Sequence, residues 1–162
     1  HQKKMLESLS SSFNSFSSSK VYTLRVSNAY GDYFKLNRNH GLIPKLIYSS
    51  INNITVDIWG DGSVTKDYIN DDIVEACSKL IHYKGDALTM NLSSGKGYSV
   101  NQIIEIVNKI CMNKLMLNYL PFKSFDIKHN VLSNSLIKKE LDWKPKVDIE
   151  CGIKQLYEKY IN

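Results

Sequence analysis

Segments rich in β-branched and apolar residues alternate along this chain with longer segments whose apolar side chains recur at helical spacing. The strand-like segments lie at residues 21–26, 55–59, 87–92 and 115–119. Residues 64–69 either pair back on the preceding strand or continue as a separate extended segment. Such alternation is typical of α/β proteins, in which helices connect neighbouring strands of a largely parallel sheet. We therefore predict an α/β fold, and 162 residues are enough to bury a hydrophobic core.

Six segments have the periodicity of amphipathic helices, and two of them carry clear start signals. Asp71 and Asp72 place negative charge at one helix start, and Ser99 with Gln102 three residues later matches a capping box. Eight of the twelve residues 8–19 are serine, which is expected to weaken the end of the first helix. The predicted helices cover residues 2–16, 41–51, 71–81, 99–110, 133–141 and 148–160.

Composition and charge exclude several classes of protein. A hydrophobic content of 43% argues against disorder, and no apolar run approaches the roughly 18 residues needed to span a membrane. The net charge of +5 comes from dispersed lysines and arginines, so no nucleic-acid partner is predicted. The three cysteines and four histidines are scattered and form no CxxC pair. This pattern predicts reduced thiols, a cytoplasmic location and no metal site.

The first predicted helix begins at the start of the chain, although a doubly wound sheet normally has several strands before such a helix. We interpret the chain as the C-terminal part of a larger α/β protein.

A series of short motifs resembles, in order and spacing, the C-terminal half of the NAD-dependent sugar-nucleotide epimerases and dehydratases of the extended short-chain dehydrogenase family. Each motif is weak alone, and the resemblance rests on the whole series. Enzymes of the UDP-glucose 4-epimerase type are the nearest well-known members. The motifs are LRVSNAYG at 24–31, GLIPK at 41–45, IWGDGS at 58–63, KDYI at 66–69, NLSSG at 91–95, Asp126, VL at 131–132 and KKELDWKP at 138–145.

The resemblance implies the C-terminal part of a Rossmann-like doubly wound sheet together with a small substrate-binding lobe. Residues 1–40 would end the dinucleotide-binding domain. Residues 41–162 would form mainly the substrate lobe, with some segments returning to the sheet. The implied activity of the complete enzyme is oxidation of a nucleotide-sugar hydroxyl, with a UDP-sugar as expected substrate and NAD as hydride acceptor.

Lys3 is the candidate for the catalytic lysine that the resemblance implies. Family members carry a Tyr-x-x-x-Lys pair on the helix before the Arg-x-x-Asn strand, with Glu four residues after the lysine, matched here by Glu7. The ammonium lowers the pKa of the phenol, whose free value is near 10, and also holds the nicotinamide ribose. The partner tyrosine would fall before His1, and the glycine-rich GxxGxxG turn that the resemblance implies would lie further upstream. An exposed helix lysine is the alternative interpretation of Lys3.

Ser27 and Asn28 end the first predicted strand, where open α/β sheets place their ligand crevice. The resemblance implies that Ser27 lies beside the nicotinamide and that Asn28 contacts the substrate near the sugar and diphosphate. An asparagine that satisfies its own turn is the alternative for Asn28. Leu42 and Lys45 match the helix start that lies over the nucleotide, where free N–H groups favour phosphate.

The second predicted strand matches the family strand that runs beside the nucleotide base. Its candidate binding residues are Asp57, Ile58 and Trp59. Backbone groups there can contact the base edge, and the aromatic ring can pack against the base. Without the resemblance, Trp59 would be assigned to the hydrophobic core.

Lys66 and Lys123 stand where family members usually have the arginines that grip the diphosphate, and Asp126 matches the residue that holds the nucleotide ribose. Lysine keeps the charge but loses the bidentate fork. The segment after Lys66 is one residue shorter than the family pattern, and Ser133 stands where an aspartate is common. These departures predict a positive but looser diphosphate site. For either lysine alone, a solvated surface charge is the alternative.

For this chain we expect at most nucleotide-sugar binding, without NAD and without catalysis, unless a separate chain supplies the dinucleotide-binding half. A catalytically inactive remnant that acts as a structural or interaction protein is the alternative. The apolar stripe of the predicted helix 2–16 also favours pairing, with a second copy in a homodimer or with the complementing half.

Overall fold

The computed structural model describes residues 2–31, 41–122 and 127–161. Helices and strands alternate over these residues and several strands pair in parallel, which confirms the α/β prediction. In chain order the elements are α1 (Gln2–Phe16), β1 (Thr23–Val26), β2 (Asn28–Ala29), α2 (Leu42–Asn52), β3 (Val56–Trp59), β4 (Thr65–Ile69), α3 (Ile73–Ile81), β5 (Thr89–Leu92), β6 (Gly97–Ser99), α4 (Val100–Ile110), β7 (Leu117–Leu120), β8 (His129–Asn130), α5 (Ser135–Leu141) and α6 (Ile149–Ile161).

The described strands form three small sheets. β1 pairs with β5 and β3 pairs with β7, both in parallel. The third sheet is built around β4, with β2 and β8 parallel to it and β6 antiparallel. Residues 64–69 therefore form a separate strand and do not pair back on β3. The pairing of β1 with β5 joins the first part of the chain to a strand more than 60 residues later. The predicted division into a dinucleotide-binding part, residues 1–40, and a substrate lobe, residues 41–162, stays a prediction.

Two hydrophobic clusters hold these elements together. The larger one packs α2, α4 and α6 against β3 and β4, with Leu46, Val56 and Ile103 fully buried. The second packs α3, α5 and β5 around Trp143, which is 1% exposed. The larger cluster supports the side of the molecule on which the predicted substrate residues lie.

Local sequence signals explain some elements, while others depend on long-range pairing. The predicted capping box is confirmed: the Ser99 hydroxyl accepts from the Gln102 N–H at 3.1 Å, and the Gln102 side chain accepts from the Ser99 N–H at 2.8 Å. The short strands β2, β6 and β8 lie in segments that the sequence predicts as turn or loop. They are two or three residues long, so they are too short to show a periodicity of their own.

Helix α1 presents its polar side to the rest of the described chain. Glu7, Ser10 and Asn14 are half-buried, whereas none of the helix residues is fully buried. The helix continues to Phe16 despite its serines, and the Ser8 and Ser10 hydroxyls donate to carbonyls four residues earlier. The apolar stripe that predicts this helix faces outward, with the exposed side chains Met5, Leu6, Leu9, Phe13 and Phe16.

Candidate functional site

A cleft of about 380 Å³ lies where β2, α2, β3 and β4 meet. Seven of the predicted substrate residues line it, although they come from four separate elements or their flanks. Lys123 and Asp126 lie outside the described residues, so their placement stays a prediction. The seven residues are Asn28, Leu42, Lys45, Asp57, Ile58, Trp59 and Lys66.

The start of helix α2 forms one wall of this cleft. Gly41 precedes the helix with φ of 85°, a conformation that glycine adopts readily, and no side chain caps the first turn. Leu42, Ile43 and Lys45 line the cleft, and Ile43 and Leu46 are buried in the larger cluster. The first-turn N–H groups of a helix and a nearby lysine together favour an anion.

The outward side of β3 forms a second wall. Asp57 and Trp59 are exposed whereas Val56 and Ile58 are buried, as expected for alternating side chains of a strand. Asp57 and Trp59 line the cleft together with the buried Ile58. Trp59 is 44% exposed. The alternative assignment of this ring to the hydrophobic core, which holds only without the family resemblance, is therefore wrong. Asp57 accepts a hydrogen bond of 2.8 Å from the amide of Asn118, its partner in the strand register. Sequence reasoning missed Asn118, because only the pairing of β3 with β7 brings it to Asp57.

Strand β4 sends successive side chains to opposite sides. Lys66 is half-buried and lines the cleft. Asp67 is fully buried and accepts hydrogen bonds from the N–H and hydroxyl of Ser94, at 3.0 and 2.8 Å, and from the Gly95 N–H at 3.0 Å. Its backbone carbonyl accepts from the Asn28 amide at 2.8 Å. The segment 93–97 is therefore a structural turn, and Asp67 ties that turn to the wall of the cleft.

Two tyrosines, Tyr30 and Tyr68, line the cleft, and burial keeps their phenol groups protonated. Burial raises the pKa of Tyr68 to about 12 and also raises the pKa of Tyr30 strongly. Both phenols are therefore neutral near pH 7 and act as hydrogen-bonding groups rather than as bases.

We expect Tyr68 to make the chain less stable at alkaline pH. Burial raises its pKa to about 12 in the folded chain, whereas an exposed tyrosine has a pKa of about 10. Above about pH 10 the unfolded chain therefore loses a proton that the folded chain keeps, and the free energy of unfolding falls by about 1.4 kcal/mol per pH unit up to about pH 12. Urea unfolding of the parent and of Tyr68→Phe at several alkaline pH values measures this slope. Equal slopes in the two proteins would contradict the prediction.

The two predicted cofactor residues lie outside the cleft lining. Lys3 is exposed on α1. Ser27 follows β1, and its hydroxyl oxygen is buried without a hydrogen-bond partner among the described residues. A buried hydroxyl of this kind fits a ligand group that would complete its hydrogen bonding.

A larger cavity of about 870 Å³ contains none of the predicted site residues. Two of its lysines have structural roles: Lys146 pairs with Glu75 at 2.6 Å, and Lys79 donates to the carbonyls of Leu141 and Asp142 at 3.1 and 2.6 Å. We therefore place the candidate site in the smaller cleft.

Metal-binding and membrane-spanning features are not found in the described part of the chain. Across residues 2–31, 41–122 and 127–161, no three His, Cys, Asp or Glu side chains come together in a way that could hold a metal ion. In the same ranges, no helix has the length and apolar character needed to cross a membrane. The three cysteines are unpaired thiols.

The comparison with protein families and curated relatives points to one group of enzymes. Residues 1–92 match the model of the NAD dependent epimerase/dehydratase family. UDP-glucuronate 4-epimerase of Thermodesulfobacterium geofontis is 30% identical over 155 residues, which cover 94% of this chain and 47% of that protein. The dTDP-4-dehydro-6-deoxyglucose reductase of Escherichia coli is 28% identical over 85% of this chain and 44% of its own. The chain thus spans about half the length of the curated relatives it matches.

Solved structures show the same fold over the same half. UDP-N-acetylglucosamine 4-epimerase from Methanobrevibacter ruminantium, in complex with UDP-N-acetylmuramic acid, matches with a TM-score of 0.90 and 25% identity, over 99% of this chain and 52% of that one. UDP-glucose 4-epimerase from Thermotoga maritima, solved with UDP-glucose, matches with a TM-score of 0.84 and 28% identity, over 98% and 50%. The expected Rossmann-like α/β architecture is confirmed.

Proposed function

Because this chain belongs to the NAD dependent epimerase/dehydratase family, we propose that it is the nucleotide-sugar-binding portion of such an enzyme. The observation that carries the proposal is the convergence of seven predicted substrate residues on one cleft. A UDP-sugar is the proposed ligand, since two structurally similar epimerases were solved with UDP-sugars. In the complete enzyme, a sugar hydroxyl would be oxidised to a ketone before hydride return or elimination.

Each wall of the cleft has a proposed role toward this ligand. The base would pack on Trp59, next to the Asp57 carboxylate. Lys66 and Lys45, with the start of α2, would attract the diphosphate. Asn28 would contact the substrate near the sugar, because its amide is held at the cleft by the Asp67 carbonyl. Lys123 and Asp126 are proposed to add a second diphosphate contact and a ribose contact.

The residues proposed to face NAD fit that role in two respects. The buried Ser27 hydroxyl lacks a hydrogen-bond partner among the described residues, and Lys3 can offer an ammonium to a ribose or phenolate. NAD, when bound, would accept the hydride from the carbon that carries the sugar hydroxyl. Ser27 would orient the nicotinamide end, and Lys3 would favour the ionised form of a neighbouring phenol.

A second candidate function is that of a non-catalytic interaction protein, either as a homodimer or with a complementing dinucleotide-binding half. The apolar side of α1 favours it, because Met5, Leu6, Leu9 and Phe16 are each more than 60% exposed. Exposed apolar patches of this kind commonly mark protein interfaces. Failure to bind UDP, together with concentration-dependent association that depends on Leu9, would favour this function over the first.

Replacing Lys66 with arginine tests the diphosphate assignment. We expect UDP to bind about 1 kcal/mol more tightly, roughly a fivefold lower Kd, because a guanidinium can donate two hydrogen bonds to one phosphate group. Lys66→Met should weaken binding instead. Isothermal titration of UDP measures both, and Lys109→Arg, at a lysine that pairs with Glu150 at 3.2 Å, is the matched control. Equal affinities for all three variants and the parent would rule out the assignment.

A further inference from the structure

Helix α1 and the segment 21–27 run alongside each other in opposite directions. The Asn14 amide donates to the Val21 carbonyl at 2.8 Å, and the Val21 N–H donates back to Asn14 at 2.7 Å. One contact nearer the start of the helix, the Arg25 guanidinium donates two hydrogen bonds to the Glu7 carboxylate, at 2.9 and 2.7 Å. The N-terminal part of the helix therefore lies beside the C-terminal part of the strand, so the two elements are antiparallel.

The spacing of these two contacts matches the geometry of both elements. The seven residues from Asn14 back to Glu7 span about 10.5 Å of helix. The four residues from Val21 to Arg25 span about 13 Å of extended chain. The two distances agree closely enough for one straight helix and one straight strand to meet at both points.

The same register brings Lys3 level with Ser27. Lys3 lies one turn before Glu7 on the same side of the helix, a rise of about 6 Å. Ser27 lies two residues after Arg25 on the same side of the extended segment, a rise of about 6.6 Å. The side of α1 that meets the chain thus carries Asn14, Glu7 and Lys3 toward Val21, Arg25 and Ser27, in that order.

We propose that the Glu7–Arg25 ion pair positions Lys3, by holding it on α1 directly opposite Ser27 on the neighbouring extended segment. The fork of an arginine on a carboxylate fixes both distance and angle, which a single contact does not. The apolar residues of α1 point outward, so they cannot supply this alignment from within the described chain. The role of Lys3 toward the cofactor rests on the proposed function, whereas its alignment with Ser27 does not.

The pair acts through geometry rather than through stability. The Arg25 and Glu7 side chains are 54% and 29% exposed, and ion pairs this accessible contribute little to the free energy of unfolding. The Arg25 hydrogen bonds lower the pKa of Glu7, so the carboxylate stays ionised at neutral pH.

The alignment is measured with two nitroxide spin labels, one at position 3 and one at position 27. Both positions are changed to cysteine in the full chain, after Cys77→Ser, Cys111→Ala and Cys151→Ser remove the native thiols. Dipolar broadening of the electron paramagnetic resonance spectrum reports how close the labels are. We expect clear broadening in this parent, and its absence would overturn the alignment.

The ion pair is then broken and restored. We expect Glu7→Gln and Arg25→Gln each to reduce the broadening, and the exchanged pair Glu7→Arg with Arg25→Glu to recover it. Glu150→Gln, which breaks the Lys109–Glu150 pair between α4 and α6, is the control and should leave the spectrum unchanged. Unchanged broadening in Glu7→Gln, with helical content retained by circular dichroism, would overturn the proposal. Equal loss in the control would overturn it as well.

UDP titration of the same variants separates this proposal from the proposed function. Glu7 and Arg25 do not line the cleft, so their variants should bind UDP with the affinity of the parent. Absence of UDP binding in the parent would count against the proposed function and would leave the spin-label result intact.

Discussion

Asp67→Ala is expected to lower the free energy of unfolding by about 3 kcal/mol. The substitution removes a buried acceptor of three hydrogen bonds and leaves the N–H groups of Ser94 and Gly95 without their partner. Such orphaned donors cost more than the hydrogen bond itself contributes, because they lose water without regaining a partner. Urea unfolding of the full chain measures the change.

Asp67→Asn and Asp61→Ala are the informative comparisons. The amide of Asp67→Asn can still accept from Ser94, but its NH₂ group then faces the Gly95 N–H, so a smaller loss is expected. Asp61 also accepts from a backbone N–H, that of Ser63, but at an exposed turn, where water replaces the lost acceptor. A loss for Asp67→Ala no larger than that for Asp61→Ala would contradict the assigned role of Asp67.

The Asp67 substitution should also weaken UDP binding. Asp67 holds the Asn28 amide through its backbone carbonyl and directly follows Lys66 in β4. A shift of this strand therefore moves both side chains at the cleft. Comparing UDP affinity in Asp67→Ala with that in Asp61→Ala, under conditions where both are folded, tests whether the turn supports the site.

Trp143→Ala is expected to lower the free energy of unfolding by about 3–5 kcal/mol, the usual range for a large aromatic side chain removed from a core. The indole is 1% exposed within the second cluster, and its N–H donates to the Asp72 carbonyl at 3.2 Å. The Asp72 carboxylate in turn accepts from the N–H groups of Lys146 and Val147, at 3.0 and 3.1 Å. The truncation therefore leaves a cavity and also loosens the connection between α3 and the segment before α6.

Trp143→Phe separates these two effects. Phenylalanine keeps much of the packing but cannot donate to Asp72, so a loss of about 1–2 kcal/mol is expected. Far-ultraviolet circular dichroism during urea unfolding measures both variants, and the fluorescence of Trp59, the other tryptophan, reports on the cleft. If Trp143→Ala unfolds at the urea concentration of the parent, the second cluster does not depend on this residue.

Local sequence patterns predict the positions of most helices and strands closely, and the family resemblance predicts the residues of the candidate site. The predicted helix 99–110 begins one residue before α4, because its capping box is a purely local signal. Family motifs predict the cleft residues, whereas composition and periodicity alone assign Trp59 to the core. Asn118 carries no local signal, since its contact with Asp57 depends on a partner 61 residues away.

The sequence by itself determined the order of the helices and of the longer strands and indicated the family, because periodicity and short motifs are encoded in neighbouring positions. It also predicts which residues form a nucleotide-sugar site. Only the tertiary structure decided which side of each element is covered. The apolar stripe of α1 predicts its helix correctly, yet Glu7 and Asn14 make the contacts with the chain. Likewise nothing in the local sequence distinguishes Asp67 from an exposed acidic residue. It is buried because the turn at 93–97 packs against β4. Burial depends on elements distant in sequence, so no local pattern specifies it.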